Sequence, residues 1–307
     1  MTAPIRTTAA VAPHNVPLGI GMMVLAVLLF SLNDTLGKWL AGYYAAPQIL
    51  LFRSFSALLV LAPLIRRAGI ASLFRIERPR LQILRALLGA IETGLFYVVV
   101  KYLPLADAMT FYLAGPIYVT VLAALLLGEK VGWRRWTAVI VGFGGVVIAL
   151  QPAASHFGWP AAVAVLGSIL YAFFLIVTRA LRGTSDTTMA FWQIGSGFGI
   201  GLLVTPFVFV PFARPYDFAL LALLGVVALA AIVCVNRSLK LAPASVVVPY
   251  QYLLIVWAVI FGYVFFGDLP GPATLIGAAI IVGAGLFIFI REQKLARPSE
   301  PEMPPEL

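Results

Sequence analysis

Ten apolar runs of roughly 15 to 25 residues, joined by short connections, constrain this chain more than any other feature. A helix needs about 20 mostly apolar residues to cross the hydrocarbon of a bilayer. In lipid only a helix or a closed barrel satisfies its own backbone. The runs are Val16–Leu36, Pro47–Ile65, Leu81–Val100, Leu105–Leu127, Trp136–Leu150, Trp159–Thr178, Thr188–Val210, Phe218–Val235, Ala242–Phe266 and Thr274–Ile290. The fifth is short, and Trp133 is an alternative start. Two boundaries are subtle: Lys101, Pro104 and Asp107 split the third run from the fourth, and Asn236, Arg237, Lys240 and Pro243 split the eighth from the ninth. Composition agrees with this reading. Hydrophobic residues make up 62% of the 307 and charged residues 11%, against about 45–50% and about 25% in ordinary globular chains. The expected fold is an all-α integral membrane protein of ten transmembrane helices, with no soluble domain inserted.

Several function classes drop out. Cys234 is the single cysteine, which leaves no intrachain disulfide, and His14 and His156 both lie outside the apolar runs. Neither a metal site nor a cofactor is expected. The net charge of +9 does not point to nucleic acid, because the basic residues sit at the ends of apolar runs rather than on a folded basic face. The first run lacks a small-residue cleavage site and continues into further runs, unlike a signal peptide. After Ile290, Pro298, Pro301, Pro304 and Pro305 and three glutamates from Glu300 on describe a disordered tail.

Lysine and arginine set the orientation. Ten spans place both termini on one side. With the termini cytoplasmic, 16 of the 21 basic residues face the cytoplasm. Only Lys38, Lys101 and Arg214 face outward, and Arg53 and Arg85 fall within spans. This asymmetry is the one that orients membrane proteins.

The chain repeats itself. Tyr102-Leu-Pro-Leu-Ala-Asp-Ala108 resembles Ser238-Leu-Lys-Leu-Ala-Pro-Ala244, and Leu127-Gly-Glu129 matches Phe266-Gly-Asp268. A glycine-rich span follows each. More faintly, Lys38 falls opposite Arg179, and Phe52-Arg53 opposite Trp192-Gln193. The units are a tail at 1–15, a first repeat at 16–152, a second at 153–290 and a tail at 291–307. Five spans per half is odd, so the second half enters the membrane from the opposite face. Glu129 to Arg135 is basic and belongs inside, whereas Asp268 to Pro272 carries no basic residue and belongs outside. Inverted repeats of this type recur in secondary transporters, with substrate bound near the midplane.

The residues now carry a family resemblance. Leu103-Pro-Leu-Ala-Asp-Ala108, Gly115-Pro116 and Leu127-Gly-Glu129, with Leu241-Ala-Pro-Ala244 and Gly267-Asp268 in the second half, resemble the drug/metabolite transporter superfamily, EamA type, over about residues 18–290. One departure is Ile255, which stands where the second half often has the proline matching Pro116. The resemblance implies a central cavity lined mainly by spans three, four, eight and nine. Asn33-Asp34, Lys38-Trp39 and Gln48 to Ser54 are similar to a subgroup that moves S-adenosylmethionine, riboflavin, amino acids or metal-chelating metabolites.

Polar groups inside spans are candidate functional residues because lipid penalises them. Glu92 is foremost, halfway along span three. Arg53 lies at a related depth, so two readings stand: Glu92 binds an amine or a proton with Arg53 on a carboxylate, or the two form a structural ion pair. Asp34 sits four residues before Lys38, the spacing of a helix-surface pair; its alternative role is coupling or gating. Arg85 is expected to snorkel to the cytoplasmic interface, and Glu129 and Asp268 to secure turns. Tyr112, Tyr250 and Gln251, with Tyr97 and Trp192, are candidate substrate contacts, since a buried tyrosine hydroxyl needs a partner. Pro116 offers a hinge.

These readings converge on a secondary active transporter of a small organic metabolite in the bacterial inner membrane, working by alternating access with proton or exchange coupling. No phosphate-binding Gly-x-x-x-x-Gly-Lys-[Ser/Thr] loop is present. An intramembrane enzyme or a non-transporting scaffold is the alternative, but one midplane carboxylate and no histidine in a span give an enzyme little to work with. The expected partners are a small-molecule substrate and the lipid bilayer, not nucleic acid, with the chain a monomer or homodimer.

Overall fold

A computed structural model describes residues 15–126, 132–150, 158–181, 184–242 and 247–296. Among the described residues every regular element is helical and there is no strand. Helices α1 (Val16–Ala41), α2 (Ala46–Ala68) and α3 (Pro79–Tyr102) are followed by two half-length pieces, α4 (Leu105–Leu113) and α5 (Gly115–Leu126). Then come α6 (Trp133–Leu150), α7 (Trp159–Ala180), α8 (Asp186–Val208) and α9 (Asp217–Leu241). A 3-10 turn (Val248–Tyr252) leads into α10 (Leu253–Phe266), and α11 (Pro272–Ala296) closes the series. Six of these, α1, α2, α3, α7, α8 and α9, are long and apolar enough to cross a membrane singly. Ten passes fit when α4 and α5 form one pass, the 3-10 turn and α10 another, and α6 and α11 one each.

The starts follow from local chemistry. Asn15 caps α1 by accepting from the Leu18 amide at 3.2 Å, and Ser185 caps α8 by accepting from Thr188 at the same distance. Proline occupies the first turn of α1, α2, α3 and α7, where its missing amide proton costs nothing. Four expected boundaries shift. The eighth pass runs on to Leu241, so Asn236 and Arg237 are helical rather than a break. The ninth does not begin at Ala242, whose backbone is extended (φ −143°, ψ 154°). The fourth is cut at Ala114. The last continues to Ala296, so residues 291–296 are helical and not part of a disordered tail. Residues 297–307, His14, His156 and Glu129 lie outside the described residues.

Packing joins the two halves throughout. Helix α1 lies against α9, α2 against α8, α3 against α7, α4 against α10 and α6 against α11. Without a hydrophobic drive between helices in lipid, close approach through small residues holds such contacts. Gly145 and Gly277 let α6 and α11 touch backbone to backbone. Gly225 of α9 does the same for α2: a methyl group there would overlap the Arg53 carbonyl and lie 2.9 Å from the Ala57 nitrogen. Large apolar side chains cover the outer surface, including Phe207 (87% exposed) and Leu203 (73%), as a lipid-facing surface requires.

Gly225→Leu therefore forces α9 off α2. The expected result is a melting temperature in detergent roughly 5–10 °C lower. Gly144→Leu, with nothing within 4 Å of its Cβ position, leaves the melting temperature in place. Equal melting curves for the two variants contradict this packing.

Candidate functional site

Three charged side chains meet inside the bundle, one from each of the first three helices. Asp34 is seven residues from the end of α1, Arg53 seven from the start of α2, and Glu92 ten from the end of α3. At 1.5 Å per residue their depths are about 10, 10 and 15 Å from the same end of the bundle. Arg53 is within electrostatic reach of both carboxylates, and the carboxylates of each other. None of the three is neutralised by contact: among the described residues the one ion pair within 4.0 Å joins Lys38 to Asp268.

Asp34 and Glu92 are half-buried within the helix bundle. Thr93 does not satisfy Glu92. Its single hydroxyl proton goes to the Gly89 carbonyl at 2.8 Å, leaving the 3.4 Å approach to Glu92 Oε2 without a donor. Aromatic rings form the surroundings. Tyr97 (2% exposed) packs on Gly37, with its ring centroid 5.8 Å from Arg53 Cζ. Tyr112 stacks edge-on against Phe96 at 5.5 Å, and its buried hydroxyl, set against Gly167, has no partner. Tyr171 of α7 also lies within the field of Glu92.

Below this cluster Arg85 forms a floor. It does not snorkel: it is 5% exposed and turned inward. Its guanidinium donates to Thr178 Oγ1 at 2.8 Å, the Met189 carbonyl at 3.1 Å and Gln193 Oε1 at 3.3 Å. It also lies 4.7 Å from the centroid of the Phe174 ring. Thr178 belongs to the last turn of α7, where the negative end of the helix dipole favours a cation. That explains how a buried arginine is tolerated without a carboxylate.

Above the cluster the bundle is latched. Lys38 Nζ is 2.6 Å from Asp268 Oδ2 and 3.2 Å from the Leu103 carbonyl at the end of α3, and 4.7 Å from the Phe266 ring centroid. Gly267, at φ +71°, ends α10 and turns Asp268 toward Lys38, a left-handed position that suits glycine. Thus Phe266-Gly-Asp268 builds a cross-repeat contact rather than only a turn, and Lys38 does not pair with Asp34. Nearby, Tyr44 donates to Asp217 at 2.5 Å and accepts from the Ala213 amide at 3.2 Å. Burial, and then the bond to Asp217, raise the Tyr44 hydroxyl above its ordinary value of 10.0, so it stays a donor at neutral pH. Gln48 bonds both backbone groups of Val210 at 2.9 Å.

Of the residues singled out from sequence, Asp34, Arg53, Glu92, Tyr97 and Tyr112 come together. Tyr250 instead packs beside Met23, Val27 and Val247, and Gln251 is exposed. Trp192 donates to the Leu73 carbonyl at 2.9 Å near the floor end of the bundle. Pro116 follows the Ala114 break by two residues. The offset of 139 that aligns Leu127-Gly-Glu129 with Phe266-Gly-Asp268 maps Ala114 onto Leu253, where the 3-10 turn becomes α10. Both passes are interrupted at equivalent points although Ile255 replaces the second proline. The charges come from spans one to three, so the cluster is not confined to spans three, four, eight and nine. Tyr171 escaped sequence reasoning, because an aromatic residue in an apolar run carries no polar signal.

Residues 17–151 and 158–290 each match the EamA-like transporter family. The chain belongs to that family. This EamA-like chain is a small-molecule membrane transporter of the drug/metabolite type, not an enzyme. It is 30% identical to a riboflavin transporter of Rhizobium johnstonii, over 95% of this chain and 97% of that protein. It is also 30% identical to an S-adenosylmethionine uptake transporter of Rickettsia bellii, over 90% and 95%. Identity to a pseudopaline exporter, CntI, of Pseudomonas aeruginosa is 29%, over 87% and 94%. A crystal structure at 17% identity shares the fold with a TM-score of 0.62, over 91% of this chain and 99% of that one.

Proposed function

We propose that this EamA-like chain is a secondary active transporter that moves a small organic metabolite across the bacterial inner membrane by alternating access. The observation that carries the reading is the cluster of Asp34, Arg53 and Glu92, deep in the bundle and unneutralised by protein contact. Unpaired charge inside a membrane protein is costly and belongs to a pathway for solute or ions. The two repeats are inverted, with both termini cytoplasmic, as the distribution of lysine and arginine favours. Helix pairing supports an exchange of halves: α1 on α9 is mirrored by α3 on α7, and α2 on α9 by α3 on α8. The interruptions at Ala114 and Leu253 give each half a break where a pass can bend. Relatives named for riboflavin, S-adenosylmethionine uptake and pseudopaline export span both directions, so the gradient rather than the fold sets direction. Glu92 and Asp34 are the groups available for proton coupling.

Purified protein in proteoliposomes tests this. Preloading with unlabelled S-adenosylmethionine, riboflavin or an amino acid accelerates entry of the same labelled solute for at least one of them, the signature of a carrier that returns loaded. Rates equal to those of empty liposomes across the whole panel contradict the proposal. So does flux that preloading does not accelerate.

A further inference from the structure

The charges of the cluster specify what it holds. Two carboxylates and one guanidinium lie within electrostatic reach of one another, at related depths on three packed helices, and among the described residues no ion pair within 4.0 Å neutralises any of them. The carboxylates stand on α1 and α3 and the guanidinium on α2, so a ligand that complements all three presents two positive centres and one negative centre. We infer that this transporter takes a net-cationic zwitterion: an amino-acid headgroup, with its ammonium and carboxylate, joined to a second cationic centre. This deepens the reading above and rests on it.

Each protein group has a task in this arrangement. Arg53 receives the ligand carboxylate, because its planar fork matches a carboxylate two-to-two. Tyr97, 5.8 Å from Arg53 Cζ and packed on Gly37, holds the guanidinium side of the cluster. Glu92 and Asp34 receive the ammonium and the second cation. Ring faces attract cations as well, with or without a hydrogen-bond donor, and Tyr171 stands within the field of Glu92. A sulfonium, a guanidinium or a quaternary ammonium therefore suits the second position. A neutral ligand leaves three charges unpaired, and a net anion meets two carboxylates against one arginine.

Among the described residues, the second repeat contributes no charge within reach of this cluster. Gln193 stands where the first repeat has Arg53, and its amide nitrogen lies near Gly89, one turn below Glu92. The ligand's charged headgroup thus belongs to the first-repeat wall, and the remainder of the ligand lies toward the uncharged second-repeat wall.

The test is competition for uptake in proteoliposomes by S-adenosylmethionine, arginine, agmatine, riboflavin and glutamate. Agmatine is arginine without its carboxylate. Arginine or S-adenosylmethionine competes at least tenfold better than riboflavin or glutamate, and arginine at least tenfold better than agmatine. Arg53→Gln removes the preference for arginine over agmatine and retains competition by agmatine, a readout that a merely misfolded variant does not give. Uptake of riboflavin with no competition from the cationic zwitterions overturns the inferred class and leaves the transporter standing. An arginine-to-agmatine preference that survives Arg53→Gln overturns the assignment of the carboxylate. No uptake of any member counts against the transporter reading itself, and the inference falls with it.

Discussion

Glu92→Gln reduces solute uptake in proteoliposomes to about 1% of wild type or less, with a melting temperature unchanged or slightly higher. The substitution keeps shape and removes only charge. Glu92 has no ionic partner within 4.0 Å and no hydroxyl donor, so the folded protein loses no contact, and the cost of an unpaired charge inside the bundle is removed. A ligand cation or proton that uses Glu92 loses its counter-charge. Removing one partner of a buried charge pair costs about 3–5 kcal/mol, which at 1.4 kcal/mol per tenfold is two to three orders of magnitude. A structural pair with Arg53 gives the opposite pattern: a lower melting temperature and largely preserved uptake. Uptake above a tenth of wild type contradicts a central role for Glu92.

Breaking the latch above the cluster gives the second large effect. Lys38→Glu places a carboxylate against Asp268 and the Leu103 carbonyl, where wild type has a 2.6 Å ion pair. Like charges at that distance disfavour the latched form, and uptake falls about tenfold because the protein is held open at that end. Asp268→Lys alone sets two lysines together and falls by a similar factor. The double exchange restores the pair in reverse, and uptake returns to within about threefold of wild type. Lys38 and Asp268 side chains are 12% and 32% exposed, so the coupling is worth about 1 kcal/mol or somewhat more, at the upper end of surface pairs. A double variant no better than the worse single variant contradicts the latch.

The pattern of ten passes was legible because apolar length is a one-dimensional property that lipid enforces. Glu92 and Arg53 were legible for the same reason: charge in an apolar run stands out. What failed was partner choice. Asp34 and Lys38 share a helix four residues apart, so a local rule pairs them, but Lys38 reaches Asp268, 230 positions along the chain. Arg85 sits near a helix start, where snorkelling is the local expectation, but α7 brings the Thr178 hydroxyl and α8 the Met189 carbonyl and Gln193 beside it. Tyr250 and Gln251 lie in an apolar run like Tyr112, so the same expectation applies to them. The chain reaches them through a 3-10 turn rather than an α-helix, which rotates them away from the cluster. The break at Leu253 has no proline at the place matching Pro116; Pro249 instead lies four residues before it, within the 3-10 turn.

In the proposed mechanism one central space is reached in turn from each side of the membrane. Thr93→Cys, in a Cys234→Ala background, places a thiol beside Glu92, where Thr93 Oγ1 now lies 3.4 Å from Oε2. In oriented proteoliposomes a membrane-impermeant thiol reagent is added outside or trapped inside, and modification is followed by mass. The expected result is modification from both sides, with protection on both sides by a transported solute. Modification from one side only, or from neither, contradicts an alternating central site.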